Sequence, residues 1–380
     1  MARKQKVSVA LTAVLVIIGL VLGVAVGAGA AVVYDSLTFQ SDEAPKTVVQ
    51  GELQIHFLEL GNKYTGDSTY IKAGDVDILI DAGSKTSSIS VIAEYIDQYV
   101  TDDKLEYVIV THAHQDHYAG FTARNGSLFD LYEVGTVIDF ALTNQEDKGE
   151  NNMYGRYLLE LAQELEENED PAAPTKHYRA DEWVSEHLTE DGKPGAVELG
   201  DSGVKMTVLN SYYYTHEAES ENDYSVCTLF TYGDYNYLFT GDLEEDGEEY
   251  LVQMNDLPEV DLYKAGHHGS KTSSSAALLE CVKPDIVCVC CCAGSAEYTD
   301  TNANQFPTQA FVDRVGIYTD RIYVTTLWDA EADTFRSMNG NIAVITTASG
   351  IEVVCASGDS RVLKEWEWFK NNRTWPANGK

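Results

Sequence analysis

The sequence predicts an α+β domain, a four-layer αββα sandwich preceded by one N-terminal transmembrane helix. Three observations predict it. Short apolar runs punctuated by glycine alternate with helical stretches in two similar halves, in the order strands, helix, strands, helix. The densest groups of His and Asp fall directly after apolar runs, at strand ends. A charge-free apolar segment, Val7 to Val33, stands apart from everything that follows.

In chain order, Met1 to Lys6 form a basic tip in which Arg3, Lys4 and Lys6 precede the apolar run. By the positive-inside rule that tip stays in the cytoplasm and everything after Val33 lies outside. The run exceeds the roughly 20 residues needed to cross a bilayer, so residues 7–33 are expected to be a retained single-pass anchor. Ala28 to Ala31 offer a signal peptidase small residues, so secretion after cleavage is the alternative. Residues 34–50 are polar and mixed and read as a linker.

The folded domain is expected over residues 51–357. Leu53 to Leu60, Thr69 to Lys72 and Val76 to Ile80 read as strands of a mostly antiparallel meander. Ser88 to Tyr99 has helical periodicity, and Tyr107 to Val110 reads as a buried strand. Residues 144–200 are acidic, hold one good helix near Tyr154 to Glu167, and look like an insertion over the core. Strands return at Val204 to Leu209, Val226 to Tyr232, Tyr237 to Thr240 and Asp261 to Ala265, followed by a helix from about Ser274 to Val282. Asp285 to Cys292, Arg321 to Thr325, Ile342 to Thr346 and Ile351 to Cys355 complete the sheets. Residues 358–380 carry Trp366, Trp368, Phe369 and Trp375. They read as a terminal helix packed on the domain, with a surface patch for glycan or wall contact as the alternative.

The net charge is -35. Such a surface repels polyanions and argues against a processive nucleic-acid binder. It leaves a nuclease open, because metal ions can supply local positive charge. The seven cysteines include Cys288, Cys290, Cys291 and Cys292 in one apolar run. They are expected to pack as small hydrophobes on a buried strand, with a disulfide inside the group as the alternative.

His112, His114, Asp116 and His117 lie within six residues on the loop after a buried strand. Imidazole and carboxylate at this spacing suit two neighbouring metal ions, zinc first and manganese second. One loop cannot fill two coordination spheres. Asp242, after the strand Tyr237 to Thr240, suits a bridging carboxylate, and His267 and His268 follow the strand Asp261 to Ala265 in the same way. Gly269 to Ser275 leads into a helix. Backbone N–H groups with Ser270, Lys271, Thr272 and Ser273 could cradle a phosphate there, with plain helix capping as the alternative.

At this point the sequence resembles a known family. Thr111-His-Ala-His-Gln-Asp-His-Tyr-Ala-Gly120 is similar to the THxHxDHxGG signature of the metallo-β-lactamase superfamily. Asp81 in Leu-Ile-Asp-Ala-Gly matches the superfamily's early aspartate, which supports the loop. His56 to Ser68 with Gly66-Asp67-Ser68, Glu221 to Ser225, Thr240-Gly-Asp242 and Gly266 to Ser275 resemble the hydrolase domain of ComEC-type DNA-uptake proteins. A similar domain occurs in secreted phosphorylcholine esterases. The resemblance spans about residues 52–355 and leaves out the channel-forming membrane region of the DNA-uptake proteins.

The resemblance implies a two-metal hydrolase of phosphodiesters outside the membrane, using a metal-bridging hydroxide, with DNA or a cell-wall polymer as substrate. His112 and His114 would hold one ion and Asp116 and His117 the other. Asp242 would bridge them, and His267, ahead of His268, would complete the second site. Asp116, His268 and Asp67 would serve catalysis, and Asn222 would join Ser270 to Ser273 in binding substrate. The alternatives are a lactone or β-lactam hydrolase on the same fold and a non-catalytic surface module. No stable protein partner is evident. Two departures stand out. His177, His187 and His216 occupy the interval where a further histidine ligand is expected, yet none sits at a strand end, leaving Asn222, Asp223 or water for that place. Phe306-Pro307 stands where many relatives have a histidine before a proline.

Overall fold

Alternation of apolar side chains with a period of two dominates the strands and sets the layers. On Ile286–Ala293, Ile286, Cys288 and Cys290 join the core shared by the two sheets, while Val287, Val289 and Cys291 face a second core beneath helices. The computed structural model describes residues 53–167 and 174–380. The basic tip, the apolar run 7–33 and the linker 34–50 lie outside the described residues. Among those described, no helix is long and apolar enough to cross a membrane.

Sixteen strands are described. The first half contains β1 Leu53–Phe57, β2 Thr69–Ala73, β3 Val76–Ile80, β4 Lys104–Val110, β5 Glu133–Asp139 and β6 Lys176–Arg179. The second contains β7 Val197–Glu198, β8 Val204–Val208, β9 Thr228–Tyr232, β10 Tyr235–Phe239, β11 Leu262–Lys264, β12 Ile286–Ala293, β13 Arg321–Asp329 and β14 Thr334–Ser337. β15 Ile342–Thr347 and β16 Gly350–Cys355 then return to the first sheet. The two sheets run β16-β15-β1-β2-β3-β4-β5-β6 and β14-β13-β12-β11-β10-β9-β8-β7. In each, an antiparallel meander (β1 to β3, β8 to β10) passes into parallel strands (β3 to β6, β10 to β13). The expected meander is thus half of each sheet, and the expected similarity of the two halves is a shared topology.

The sheets meet face to face, with the Phe57 and Phe239 rings 6.1 Å apart. Helices Glu245–Met254, Ala276–Val282 and Gln309–Val315 cover the far side of the second sheet through Leu251, Leu278, Leu279, Phe311 and Val312. Helix Ser88–Ile96 buries Ile89, Ile92 and Ile96 on the first half. This is the four-layer arrangement.

Residues 144–200 need a correction. The described residues among them, 144–167 and 174–200, are built into the fold rather than laid over it. Helix Met153–Glu167 is the crossover between parallel strands β5 and β6, and β6 is the edge of the first sheet. Its charged sequence, Lys-His-Tyr-Arg, suits an edge strand and hid it from pattern reading. The C-terminal residues pack on the second core, with Leu363 and Phe369 buried and Trp366, Trp368 and Trp375 partly so. All seven cysteines are free thiols, and six of them are buried.

Candidate metal centre

Strand ends deliver the site. β3 ends at Asp81, β4 at the His112 loop, β10 at Asp242 and β11 at His267 and His268. These ends are the carboxyl ends of parallel strands, where a switch of chain direction opens a crevice. Gly241 permits the turn into Asp242 with φ +54°, and a Cβ there would meet Ser225 Oγ at 2.8 Å and Thr111 Cβ at 3.0 Å. Asp81, His267 and His268 adopt positive φ of 60°, 45° and 56°. Such backbone is costly for residues with a Cβ, and it clusters where side chains must be aimed.

Asp81 is buried beside the His112 loop. Its carboxylate accepts from Thr111 N and Thr111 Oγ1, both at 2.8 Å, and faces His117 Nδ1 at 2.7 Å. That contact turns His117 Nε2 inward, to 3.2 Å from Asp242 Oδ2. His112 Nε2 and His114 Nδ1 converge at 3.0 Å. His268 Nε2 lies 3.3 Å from Asp116 Oδ2 and 3.2 Å from Asp242 Oδ2. Its Nδ1 faces the Cys290 carbonyl at 2.9 Å and Asp67 Oδ1 at 3.1 Å. Ligand atoms of Asp67, His117, Asp242 and His268 all fall within 4.8 Å of one another.

These spacings fit divalent cations. Four ligands at about 2.0–2.1 Å from one ion are separated by tetrahedral edges of roughly 3.3 Å. His117 Nε2 and Asp242 Oδ1, both buried, also lack a well-formed hydrogen bond. The charges agree. Burial would raise Asp242, yet His117 and His268 hold it well below the usual carboxylate range. Burial would lower His117, yet Asp242 and Asp81 push it well above the ordinary imidazole value. A cation between these groups would relieve the same imbalance.

Of the two neighbouring histidines, His268 is the one brought among the carboxylates. His267 Nε2 is 4.0 Å from Asp242 Oδ2, and its Nδ1 turns to Glu244 at 3.4 Å and Thr272 Oγ1 at 3.2 Å. Asn222 is buried with its Oδ1 unpartnered and its Nδ2 3.4 Å from His267 Nδ1. Asp223 accepts from Glu244 N. His177 pairs with Asp139 at 3.0 Å, and His187 and His216 stack on Trp183 and Tyr212.

The hydroxyls of Ser270, Thr272 and Ser273 are committed within the protein. Ser273 Oγ donates to Leu243 O, Thr272 Oγ1 to Glu244, and Thr272 N to Ser270 Oγ. The Glu248 carboxylate takes Ser274 N and Ser275 N at 2.7 and 2.6 Å, where the cradle was to offer free N–H groups. Arg314 collects the carbonyls of Lys271, Ser273 and Ser274. The segment is a braced turn leading to the Ser275 cap.

Sequence reasoning missed Lys264. It is 3 % exposed, ion-paired to Asp67, and 3.5 Å from Asp242 Oδ1. The signal available was a lone lysine inside an apolar strand one turn before the histidines. Tyr298 was missed too, and its Oη donates to Asp116 Oδ2 at 3.0 Å. It lines a cavity of about 450 Å³ with Lys85, His114, Asp116, Asp242 and His267.

A family model described as the metallo-beta-lactamase superfamily matches residues 61–123 and 154–293, more than half of the chain. The chain belongs to the metallo-beta-lactamase superfamily. As a member, it carries the superfamily's metal-dependent hydrolase scaffold. It is similar to Recombination protein 2 of Haemophilus influenzae, at 31% identity over 33% of this chain and 14% of that protein. It is also similar to ComE operon protein 3 of Bacillus subtilis, at 28% identity over 27% of this chain and 14% of that protein. The chain thus spans about one-seventh of the length of these relatives. Solved structures similar to this superfamily member include the metallo-beta-lactamase fold protein YhfI of Bacillus subtilis. It has 13% identity and a TM-score of 0.38, covering 74% of this chain and 90% of that one. The short form of human tRNase Z has 12% identity and a TM-score of 0.38, covering 72% and 92%.

Proposed function

We propose that this protein is a two-metal phosphodiesterase acting outside the cell membrane. The observation that carries the reading is the pairing of His112 with His114, of His117 and His268 with Asp242, and of His268 with Asp116 at ligand-to-ligand spacings of 3.0–3.3 Å, beside a cavity that His114, Asp116 and Asp242 line. His112 and His114 would hold one ion, and Asp116, His117 and His268 the other, with Asp242 shared. His268 takes the place first expected of His267. Bound ions, zinc or manganese, would supply Lewis-acid polarisation and a nucleophile at neutral pH.

The residues around them have separate tasks. Asp81 orients His117, and Asp67 with the Cys290 carbonyl orients His268. Lys264 balances Asp67 and one oxygen of Asp242, leaving the other oxygen toward the histidines. Lys85 lines the cavity and supports an anionic substrate over a neutral lactone. The motifs shared with DNA-uptake proteins support a diester, either nucleic acid or a cell-wall polymer such as teichoic acid. The basic tip and apolar run before residue 34 support the extracytoplasmic placement.

The test is a side-by-side assay of the metal-loaded full chain. It uses bis-p-nitrophenyl phosphate, p-nitrophenyl phosphorylcholine, single-stranded DNA and a β-lactam. Turnover of at least one diester with none of the β-lactam is expected. Turnover of the β-lactam alone overturns the reading.

A further inference from the structure

We propose that Tyr298 is the hydrogen-bond donor to the leaving oxygen of the substrate, an inference that rests on the phosphodiesterase reading. Tyr298 is a large aromatic residue left 57% exposed, so burial does not explain its place. Its hydroxyl is nonetheless aimed into the centre, 3.0 Å from Asp116 Oδ2. That carboxylate oxygen has a second partner in His268 Nε2 at 3.3 Å, so the phenol can turn to a substrate atom without stranding it. The neighbouring ring on this wall, Phe306, lies 5.5 Å from Tyr298 and 5.7 Å from His268 and has no proton to offer. Two other lining side chains are engaged elsewhere: Gln115 Nε2 donates to Ser84 O, and Ser84 Oγ to Asn62 Oδ1.

The segment that carries Tyr298 is held from outside the centre. Arg373, 6% exposed, donates through Nε to Pro307 O, through Nη1 to Asn302 Oδ1 and through Nη2 to Gln305 O. At its other end, Gly294 lies so close to Trp368 that a Cβ would meet the indole at 2.4 Å. A donor worth placing must be held still, and the C-terminal segment holds it.

In the step proposed, a water-derived oxygen forms a bond to phosphorus as the bond to the leaving oxygen breaks. The electron pair of that bond moves onto the leaving oxygen, where the Tyr298 O–H meets the growing charge. The leaving oxygen then takes its proton from solvent. The contribution grows with the basicity of the leaving oxygen. An alkoxide needs the donor, whereas p-nitrophenolate carries its charge unaided.

The test compares wild type with Tyr298→Phe, which keeps the ring and removes the hydroxyl. Bis-p-nitrophenyl phosphate and a dinucleoside phosphate serve as substrates, and calorimetry measures manganese binding. The expected result is a loss in kcat/KM on the dinucleoside phosphate on the order of 100-fold greater than on the activated diester. Manganese affinity should be retained. Equal losses on both substrates, with metal affinity lowered by about 10–100-fold, would show that Tyr298 only orients Asp116 and would overturn the inference. No loss on either substrate overturns it as well. If wild type cleaves neither diester, the phosphodiesterase reading fails first, and this inference with it.

Discussion

Asp242 faces His117, His268 and Lys264 at once, so its removal strips both proposed ion sites of their common carboxylate. Asp242→Ala should lose most bound metal. His268→Ala should weaken metal binding far more than His267→Ala, since only His268 reaches Asp116 and Asp242 at ligand spacing. Titration calorimetry on the two variants checks this, and equal losses would contradict it. A second residue acts on stability rather than on the site. His56 is buried on β1 against Tyr95 Oη, and burial pulls its pKa down to about 3. A depressed imidazole contributes stability that is present above the unfolded pKa of about 6.5 and is lost as pH falls toward 3. The loss should reach on the order of 4 kcal/mol. His56→Phe should flatten the chemical-denaturation stability of the metal-free protein between pH 6.5 and 4, and an unchanged slope would refute the assignment. At this scale the His112 to His117 loop stood out because four ligand-type residues crowded into six positions after a buried strand seldom serve packing alone. The choice between His267 and His268 was not legible. It depends on two consecutive left-handed residues, which sequence spacing does not encode.

Among the elements, the turn after β10 shows how backbone conformation serves the centre. The Gly241 carbonyl accepts from Lys264 Nζ and His267 N, each at 3.2 Å, and its φ is positive. Gly241→Ala adds a Cβ against Ser225 and Thr111 in a conformation that costs L residues, together about 2–4 kcal/mol. Both the melting temperature and metal affinity should fall, because Asp242 is the next residue. The C-terminal helix Glu367–Asn372 makes a different prediction. Arg373→Ala removes three donors from the segment 302–307, so amide exchange should rise across residues 294–307 while β1 to β4 stay protected. Unchanged exchange would detach the helix from the cavity wall. Strands that form a continuous apolar run, such as β12, were readable from the sequence. β6 was not, because an edge strand with charged residues looks like a loop. That the Ser274 and Ser275 N–H groups are taken was not readable, because their acceptor, Glu248, is distant in sequence.

For the whole molecule, the two halves share one topology, and the site lies where the carboxyl ends of their parallel strands come together. Repetition of the strand and helix order made that architecture legible, and the strand-end histidines located the site on it. What stayed hidden were partners joined only by folding, such as Lys264 with Asp67 and Tyr298 with Asp116. If the centre is a metal site, metal also stabilises the fold, because the unfolded chain cannot assemble these ligands. Chelation should therefore lower the melting temperature, and added zinc or manganese should restore it. The most direct test of the central claim is the metal content of the purified full chain after reconstitution with zinc and manganese, measured beside Asp242→Ala. The account predicts about two equivalents in the wild type and a marked loss in the variant. Less than about half an equivalent in the reconstituted wild type, or full metal content in Asp242→Ala, would contradict it.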